Sequence, residues 1–170
     1  MHNKVMHYDF FQSPHGQMLL VANDIGLSGV YFEGQKYFPQ IDPEWRHETD
    51  HAPLQRAQRE LIEYFHGERK QFETALAPEG TSFQQSIWKA ISTVAFGETI
   101  TYSELARRAG YPGNARAAGS ATGRNPLTII VPCHRIVGAD GSLTGYAGGL
   151  DRKRALLSLE SGIPDLLSAA

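Results

Sequence analysis

The sequence predicts an α+β chain: a small N-terminal antiparallel sheet with a helix, joined to a mostly helical C-terminal domain containing a helix-turn-helix. Three observations predict it. Residues 5–32 alternate apolar stretches with Gly, Pro and Asn turn residues, the pattern of a meander. Leu54, Ala57, Leu61, Ile62 and Phe65 lie along one helical stripe. Beyond residue 81, Thr residues stand three positions ahead of Gln or Glu, and Gly or Pro follows each short run, so helices start and stop repeatedly. The expected division is a supporting α/β domain at 1–74, a linker at 75–81 containing Pro78 and Gly80, and a C-terminal domain at 82–170 that carries the chemistry.

Taken in order, residues 5–12 and 17–22 read as strands about the turn Ser13-Pro14-His15-Gly16, and Leu27 to Phe32 as a third strand after Asn23-Asp24. Residues 33–50 mix Gly, Pro and charge and read as loop. The helix on the Leu54–Phe65 stripe ends near Gly67. Thr81 with Gln84 forms a capping box for a helix to about Ala95, with Ile87, Trp88, Ile91 and Val94 in the core. Thr101 with Glu104 forms a second box, and that helix closes at Gly110 and Pro112. Asn114 can cap a further helix, Ala115 to about Thr122, stopped by Gly123 and Asn125-Pro126. Two short helices around a Gly-containing turn make a helix-turn-helix pattern. The second is small-sided with Arg116 its one large residue, which suits a groove-inserting helix or close packing on a neighbour.

Leu127 to Val131 reads as a short buried strand that must stop at Pro132, leaving Cys133 and His134 at its end. Gly138 to Gly141 is a turn. In Gly145-Tyr146-Ala147-Gly148-Gly149, glycines surround one tyrosine, which fits either a ligand wall or a tight turn under a packed ring. Asp151 is placed to cap a last helix with Leu156, Leu157 and Leu159, ended by Gly162 and Pro164, with a loose tail after it. Glu160 stands in its final turn, where the helix dipole favours cations, a hint of another role.

Composition narrows the chemistry. With 41% hydrophobic and 20% charged residues, the chain is of ordinary globular composition. It has no apolar run of membrane-spanning length and no basic-then-apolar leader, so no membrane partner is expected. The single cysteine rules out an internal disulfide and a multi-cysteine zinc site, and a free thiol suits a reducing cytoplasm. His2, His7, His15, His47, His51 and His66 show no ligand spacing, so no metal is expected. The net charge of −2 hides an asymmetry: residues 1–80 hold 7 Lys+Arg against 12 Asp+Glu, and residues 81–170 hold 9 against 6. A basic stripe through Lys89, Arg107, Arg108, Arg116, Arg124 and Arg135 suits nucleic acid, or simply a solvated face.

The chemistry centres on Cys133. A thiolate is the nucleophilic form of cysteine, and an adjacent imidazole or guanidinium favours it. His134 and Arg135 supply both. The plain alternative is a small core hydrophobe.

Together these residues resemble the O6-alkylguanine-DNA alkyltransferases. The resemblance covers 81–170 well and 1–80 in outline. It rests on Pro132-Cys133-His134-Arg135 between aliphatic residues, Asn125-Pro126 before it, Gly145-Tyr146-x-Gly148-Gly149 after it and Glu160-x-Gly162 beyond. It implies the short bacterial repair form, which needs neither metal nor cofactor. Its implied partner is double-stranded DNA carrying an alkylated guanine, approached through the minor groove by a monomer, with O4-alkylthymine a second candidate substrate and cooperative binding on DNA an open question. Cys133 would accept the alkyl group, His134 would be its base through a water, and Glu160 would orient His134. Asn125 would sit at the hinge tying the recognition helix to the active-site strand. Arg116 would fill the gap left by a flipped nucleotide, and Tyr102 would press its phosphate and donate toward guanine N3. Ala115, Ala117, Gly119, Ser120, Arg124 and Arg135 would contact DNA. The backbone around Cys133, Ile136 and Ala147 would hold the guanine edge, with Tyr146 and Gly148 lining the pocket. Ala147 stands where some relatives have Ser, and Thr122 and Arg124 stand where many have Asn and a small residue. Two other functions compete: a Cys-His-Glu hydrolase with an acyl intermediate, and a non-catalytic lesion binder, against which the presence of Cys133 argues.

Overall fold

The computed structural model describes residues 5–163. The tail beyond Ile163, including Pro164, and His2 lie outside the described residues. The N-terminal half is a four-stranded sheet. β1 (His7–Ser13), β2 (Gly16–Ala22) and β3 (Leu27–Phe32) form an antiparallel meander, with Ser13 paired to Gly16 and Ala22 to Leu27. The Ser13 hydroxyl closes the first turn on the Gly16 carbonyl, and the Asn23 side chain accepts from the N–H groups of Ile25 and Gly26 in the second. β4 (Arg46–His47) adds a parallel edge beside β1, inside a stretch expected to be loop throughout. Two residues between Gly- and Pro-containing segments leave no alternation to detect.

α1 (Ala52–Phe65) lies over this sheet. Its buried face is Leu54, Ala57, Leu61 and Tyr64, whereas Ile62, placed on the stripe by the sequence, is exposed. Glu60 is buried too, and its carboxylate accepts the N–H groups of Glu73 and Thr74, fixing the chain as it leaves the domain.

α2 (Ser82–Ile91) begins with the full Thr81–Gln84 capping box and ends four residues earlier than expected. At the mouth of α3 (Tyr102–Arg108) only half a box forms: Thr101 accepts from the Glu104 N–H, while the Glu104 carboxylate turns to Arg107 and Arg108. α4 (Ala115–Gly123) follows a turn in which Gly110 and Gly113 take the left-handed φ values 89° and 85°. Asn114 does not cap it: its backbone stands at φ −107°, ψ 41°, and its side-chain amide donates to the Tyr111 carbonyl. The Trp88 indole N–H donates to the Ala121 carbonyl at 2.9 Å, fastening α2 to α4.

β5 (Ile100–Thr101) pairs in parallel with β6 (Ile136–Val137). The expected strand over Leu127–Val131 is absent. The segment is buried, but Leu127 only bridges Val30 and Thr128 bridges Val131, with Ile129 at φ 74° forcing a turn between them. An apolar run does not separate a buried strand from a buried turn. α5 (Leu150–Ser161) closes the chain and ends on left-handed Gly162. Gly149, at φ 93°, occupies its N-cap, so Asp151 lies inside the first turn and pairs with Arg154 instead of capping.

The two halves share one apolar core running from Phe11 and Met18 through Ile87 and Trp88 to Leu156. Backbone bonds cross between them, from the Val30 N–H to the Pro126 carbonyl and from the Thr128 N–H to the Val30 carbonyl, and the Leu27 N–H holds the start of the linker at the Ala75 carbonyl. Among the described residues no helix is long and apolar enough to cross a membrane.

Candidate active site

Cys133, His134 and Arg135 form one 3-10 turn directly after Pro132, which takes the place of the expected strand end. All three are buried, at 6, 0 and 6% exposure, so the turn presents its thiol from within the protein rather than on an open edge. Asn125 braces the approach to it. Its amide donates to the Val131 carbonyl at 2.8 Å and its carbonyl accepts the Leu127 N–H at 2.9 Å, closing the 127–131 turn on the end of α4.

Behind the turn, α5 contributes Glu160. His134 Nε2 lies 2.7 Å from Glu160 Oε2. Arg135 forks onto the same carboxylate, Nε to Oε1 at 2.7 Å and Nη2 to Oε2 at 2.9 Å, and gives Nη1 to the Val94 carbonyl at 2.7 Å. The Tyr64 hydroxyl, from α1, donates to Oε2 at 2.6 Å. Burial works against the Glu160 anion, but hydrogen bonds from His134, Arg135 and Tyr64 outweigh it and hold the carboxyl at about 2. With an anionic acceptor at Nε2, that nitrogen carries the imidazole proton, so Nδ1 keeps its lone pair. Nδ1 is buried and has no hydrogen-bond partner among the described residues. Burial lowers the His134 pKa, so the ring is neutral and able to accept a proton there.

Cys133 is not a resting thiolate. Burial raises its pKa, and the opposing effects of the Asn125 amide and the Lys153 charge are smaller. Lys153 was not singled out by the sequence. It is fully buried on α5, donates Nζ to the Ile136 carbonyl at 2.6 Å and the Thr144 carbonyl at 2.9 Å, and is pulled by burial down to about 8. The available signal was spacing: Lys153, Leu156 and Glu160 fall at i, i+3 and i+7, so two ions lie on the buried face of one helix.

A cleft of about 790 Å³ opens between α4 and the 145–147 loop, and Cys133 itself is not among the residues that line it. α4 supplies Ala117, Gly119 and Ser120 to one wall, and Tyr146 and Ala147 form the other. Tyr146 is half-buried against Gly148, where a Cβ would come within 2.7 Å of its ring. The packed tyrosine therefore requires the glycine, which is not itself among the residues lining the cleft. Burial raises the Tyr146 pKa well above the ordinary phenol range, and a charge on Cys133 would raise it further. Ile136 is fully buried, with its N–H given to the Cys133 carbonyl and its C=O taken by Lys153. Tyr102, at the start of α3, packs beside Gly119, and its oxygen accepts the Thr144 hydroxyl at 3.1 Å. Ala115 is half-buried at the start of α4, and Arg116 is exposed on that helix. Arg124, past its end, sits 3.9 Å above the Tyr37 ring of an N-terminal loop.

Two expectations need correction. Arg135 cannot reach nucleic acid, because its guanidinium is buried on Glu160 and Val94. The expected basic stripe is correspondingly shorter, since Arg107 and Arg108 also pair with Glu104 and Glu98. The histidines are not all scattered: His7, Glu48 and His51 bring ligand atoms within 4.8 Å of one another. The two rings stack at 3.9 Å with an 18° tilt, however, so their in-plane lone pairs do not converge on one point.

The profile of the 6-O-methylguanine DNA methyltransferase DNA-binding domain matches residues 82–162, and that of the same family's ribonuclease-like domain matches 6–78. A methylated-DNA–protein-cysteine methyltransferase of Methanosarcina acetivorans is 47% identical over 155 residues, covering 91% of this chain and 98% of that one. The crystal structure of Mycobacterium tuberculosis O6-methylguanine methyltransferase superposes with a TM-score of 0.84 at 43% identity, over 97% of this chain and 99% of that one. The M. tuberculosis enzyme in complex with DNA gives 0.84 at 42% identity, over 94 and 96%. The chain belongs to the 6-O-methylguanine-DNA methyltransferase family.

Proposed function

We propose that this protein repairs DNA by moving the alkyl group of an O6-alkylguanine in duplex DNA onto Cys133, once per molecule and irreversibly. The observation that carries the reading is the buried line Cys133–His134–Glu160, one thiol beside a neutral imidazole whose far nitrogen is held by a carboxylate.

The α3–α4 pair acts as a helix-turn-helix, with the small-sided α4 entering the minor groove and Arg116 filling the gap left by the target nucleotide. An alkylated guanine pairs poorly, so its extrusion costs at most a few kcal/mol. Ala117, Gly119, Ser120 and Arg124 line the path of the strand. The base enters beside Tyr146, Ala147 and Gly148.

Cys133 passes its proton through a water to His134 Nδ1, and Glu160 stabilises the imidazolium that forms. The thiolate attacks the alkyl carbon. A carbon–sulfur bond forms as the carbon–O6 bond breaks, and the electron pair passes onto the guanine. Tyr102 gives that guanine a proton at N3. Because the Thr144 hydroxyl already donates to the Tyr102 oxygen, the phenolic proton is available for this transfer. Solvent returns a proton to Tyr102 and removes one from His134, which closes the count. The product thioether has a saturated carbon that water does not attack, so the protein is consumed. The protein works as a monomer in the cytoplasm, without metal or cofactor.

Intact mass spectrometry after mixing with a duplex containing one O6-methylguanine tests the reading. The expected result is one methyl per molecule, mapped to the Cys133 peptide. Turnover of many lesions, or a methyl on another residue, would overturn it.

A further inference from the structure

We infer that Tyr64, a residue of the N-terminal half, is a positioning residue for the alkyl transfer: its hydroxyl fixes Glu160 as the carboxylate that orients His134. The inference rests on the function proposed above and deepens it. It gives the N-terminal half a part in the reactive centre beyond support.

The geometry is closed on every side. Glu160 is buried and accepts four hydrogen bonds: one each from His134 and Tyr64, and two from Arg135. Three of them, from His134, Tyr64 and Arg135 Nη2, converge on Oε2, and Arg135 Nε meets Oε1. Arg135 alone would permit the carboxylate to rock about the guanidinium fork. The Tyr64 hydroxyl meets Oε2, the oxygen that also receives His134, and holds that oxygen at one point. The donor is rigid in turn. Its ring is fully buried and packed at 5.5–6.3 Å from Phe65, Phe72 and Phe96, the last from the C-terminal half. α1 aims it there because Leu54, Ala57, Leu61 and Tyr64 share the buried face. The phenol does not compete for the proton, since burial and the Glu160 charge both raise its pKa far above neutrality. Tyr64 is therefore a permanent donor to the relay.

Loss of this donor has two effects. Glu160 becomes freer to move, so His134 is less often aligned, and the rate on the alkaline plateau falls. Glu160 also becomes a stronger acceptor, which favours the protonated imidazole and moves the acid limb of the rate–pH profile to higher pH. A purely structural contact would do the first without the second.

The test is Tyr64→Phe, which keeps the buried ring. Single-turnover methyl transfer from a duplex with one O6-methylguanine is followed from pH 5 to 9, beside the melting temperature and the affinity for an unmodified duplex. The expected result is a plateau rate roughly tenfold lower, in line with one lost hydrogen bond to a charged group, and an acid limb displaced upward, with duplex affinity within about twofold of the parent. An unmoved limb, or an unchanged rate, overturns the role of Tyr64. Failure of the parent protein to take up methyl at Cys133 would instead sink the proposed function. Should the variant not fold, NMR of the parent decides: the Tyr64 hydroxyl proton is expected as a downfield, slowly exchanging resonance, and a rapidly exchanging one overturns the inference.

Discussion

Arg135 and Glu160 meet in a two-bond fork inside the protein, at 2.7 and 2.9 Å, with the carboxylate side chain only 1% exposed. A motif arginine beside a reactive cysteine, on a protein that works on DNA, invites assignment to a phosphate. Its geometry makes it part of the frame. Arg135→Ala leaves Glu160 without its main counter-charge and should cost about 3–5 kcal/mol, as removal of one partner from a buried ion pair does. Urea denaturation measures this. The folded fraction should keep its affinity for unmodified duplex DNA, and a large loss there would place Arg135 at the interface after all.

Lys153 gives the second prediction. Its ammonium favours the Cys133 thiolate and joins the 136 and 144 carbonyls beneath the turn. Lys153→Met removes the charge and leaves both carbonyls unpaired. The thiol should then ionise at higher pH, so transfer at neutral pH should slow by roughly tenfold or more, the cost of losing a charged hydrogen bond. Part of the loss should return as the pH is raised. Rapid-quench kinetics across pH measures both, and a loss of equal size at every pH would remove Lys153 from thiol activation.

Acid should undo the fold through the same cluster. Burial lowers the His134 pKa below 6.5, so the unfolded chain takes up a proton that the native state resists. That contribution is complete above pH 6.5 and declines below it. Glu160, moved from 4.5 to about 2, adds a second contribution, lost as the pH falls through that interval and worth roughly 3 kcal/mol. The urea midpoint should therefore fall in two stages between pH 7 and 3. Glu160→Gln should start lower and lose the second stage. A midpoint flat from pH 6 to 3 would contradict the buried ion cluster.

What the sequence revealed follows from distance along the chain. Cys133, His134 and Arg135 are neighbours, and Asn125 is six residues from its partner Val131, so local spacing exposed them. Tyr64 lies 96 residues from Glu160, and no periodicity points from one helix to a carboxylate on another. Lys153 and Glu160 sit on the buried face of α5 where apolar residues were sought, so the ions concealed their own helix face. The failed caps have local causes. Gly149 at φ 93° enters α5 by a route closed to Asp, and Asn114 lacks the extended backbone a side-chain cap needs. The meander and α1 were legible because turn chemistry and one apolar face repeat over many residues.

Arg116 provides the last prediction. It is exposed on a helix whose other residues are Ala, Gly, Ser and Thr, so no other α4 side chain could fill the space left by an extruded base. Removing it takes away the cation proposed to fill that gap and leaves the buried reactive centre untouched. Arg116→Ala should weaken methyl uptake from duplex DNA at limiting protein by about tenfold or more, within the few kcal/mol that flipping costs. Reaction with a free O6-alkylguanine base, which needs no flipping, should change by less than about threefold. Equal losses on the two substrates would mean that Arg116 acts on the pocket rather than on the duplex, and the orientation of α4 in the groove would have to be redrawn.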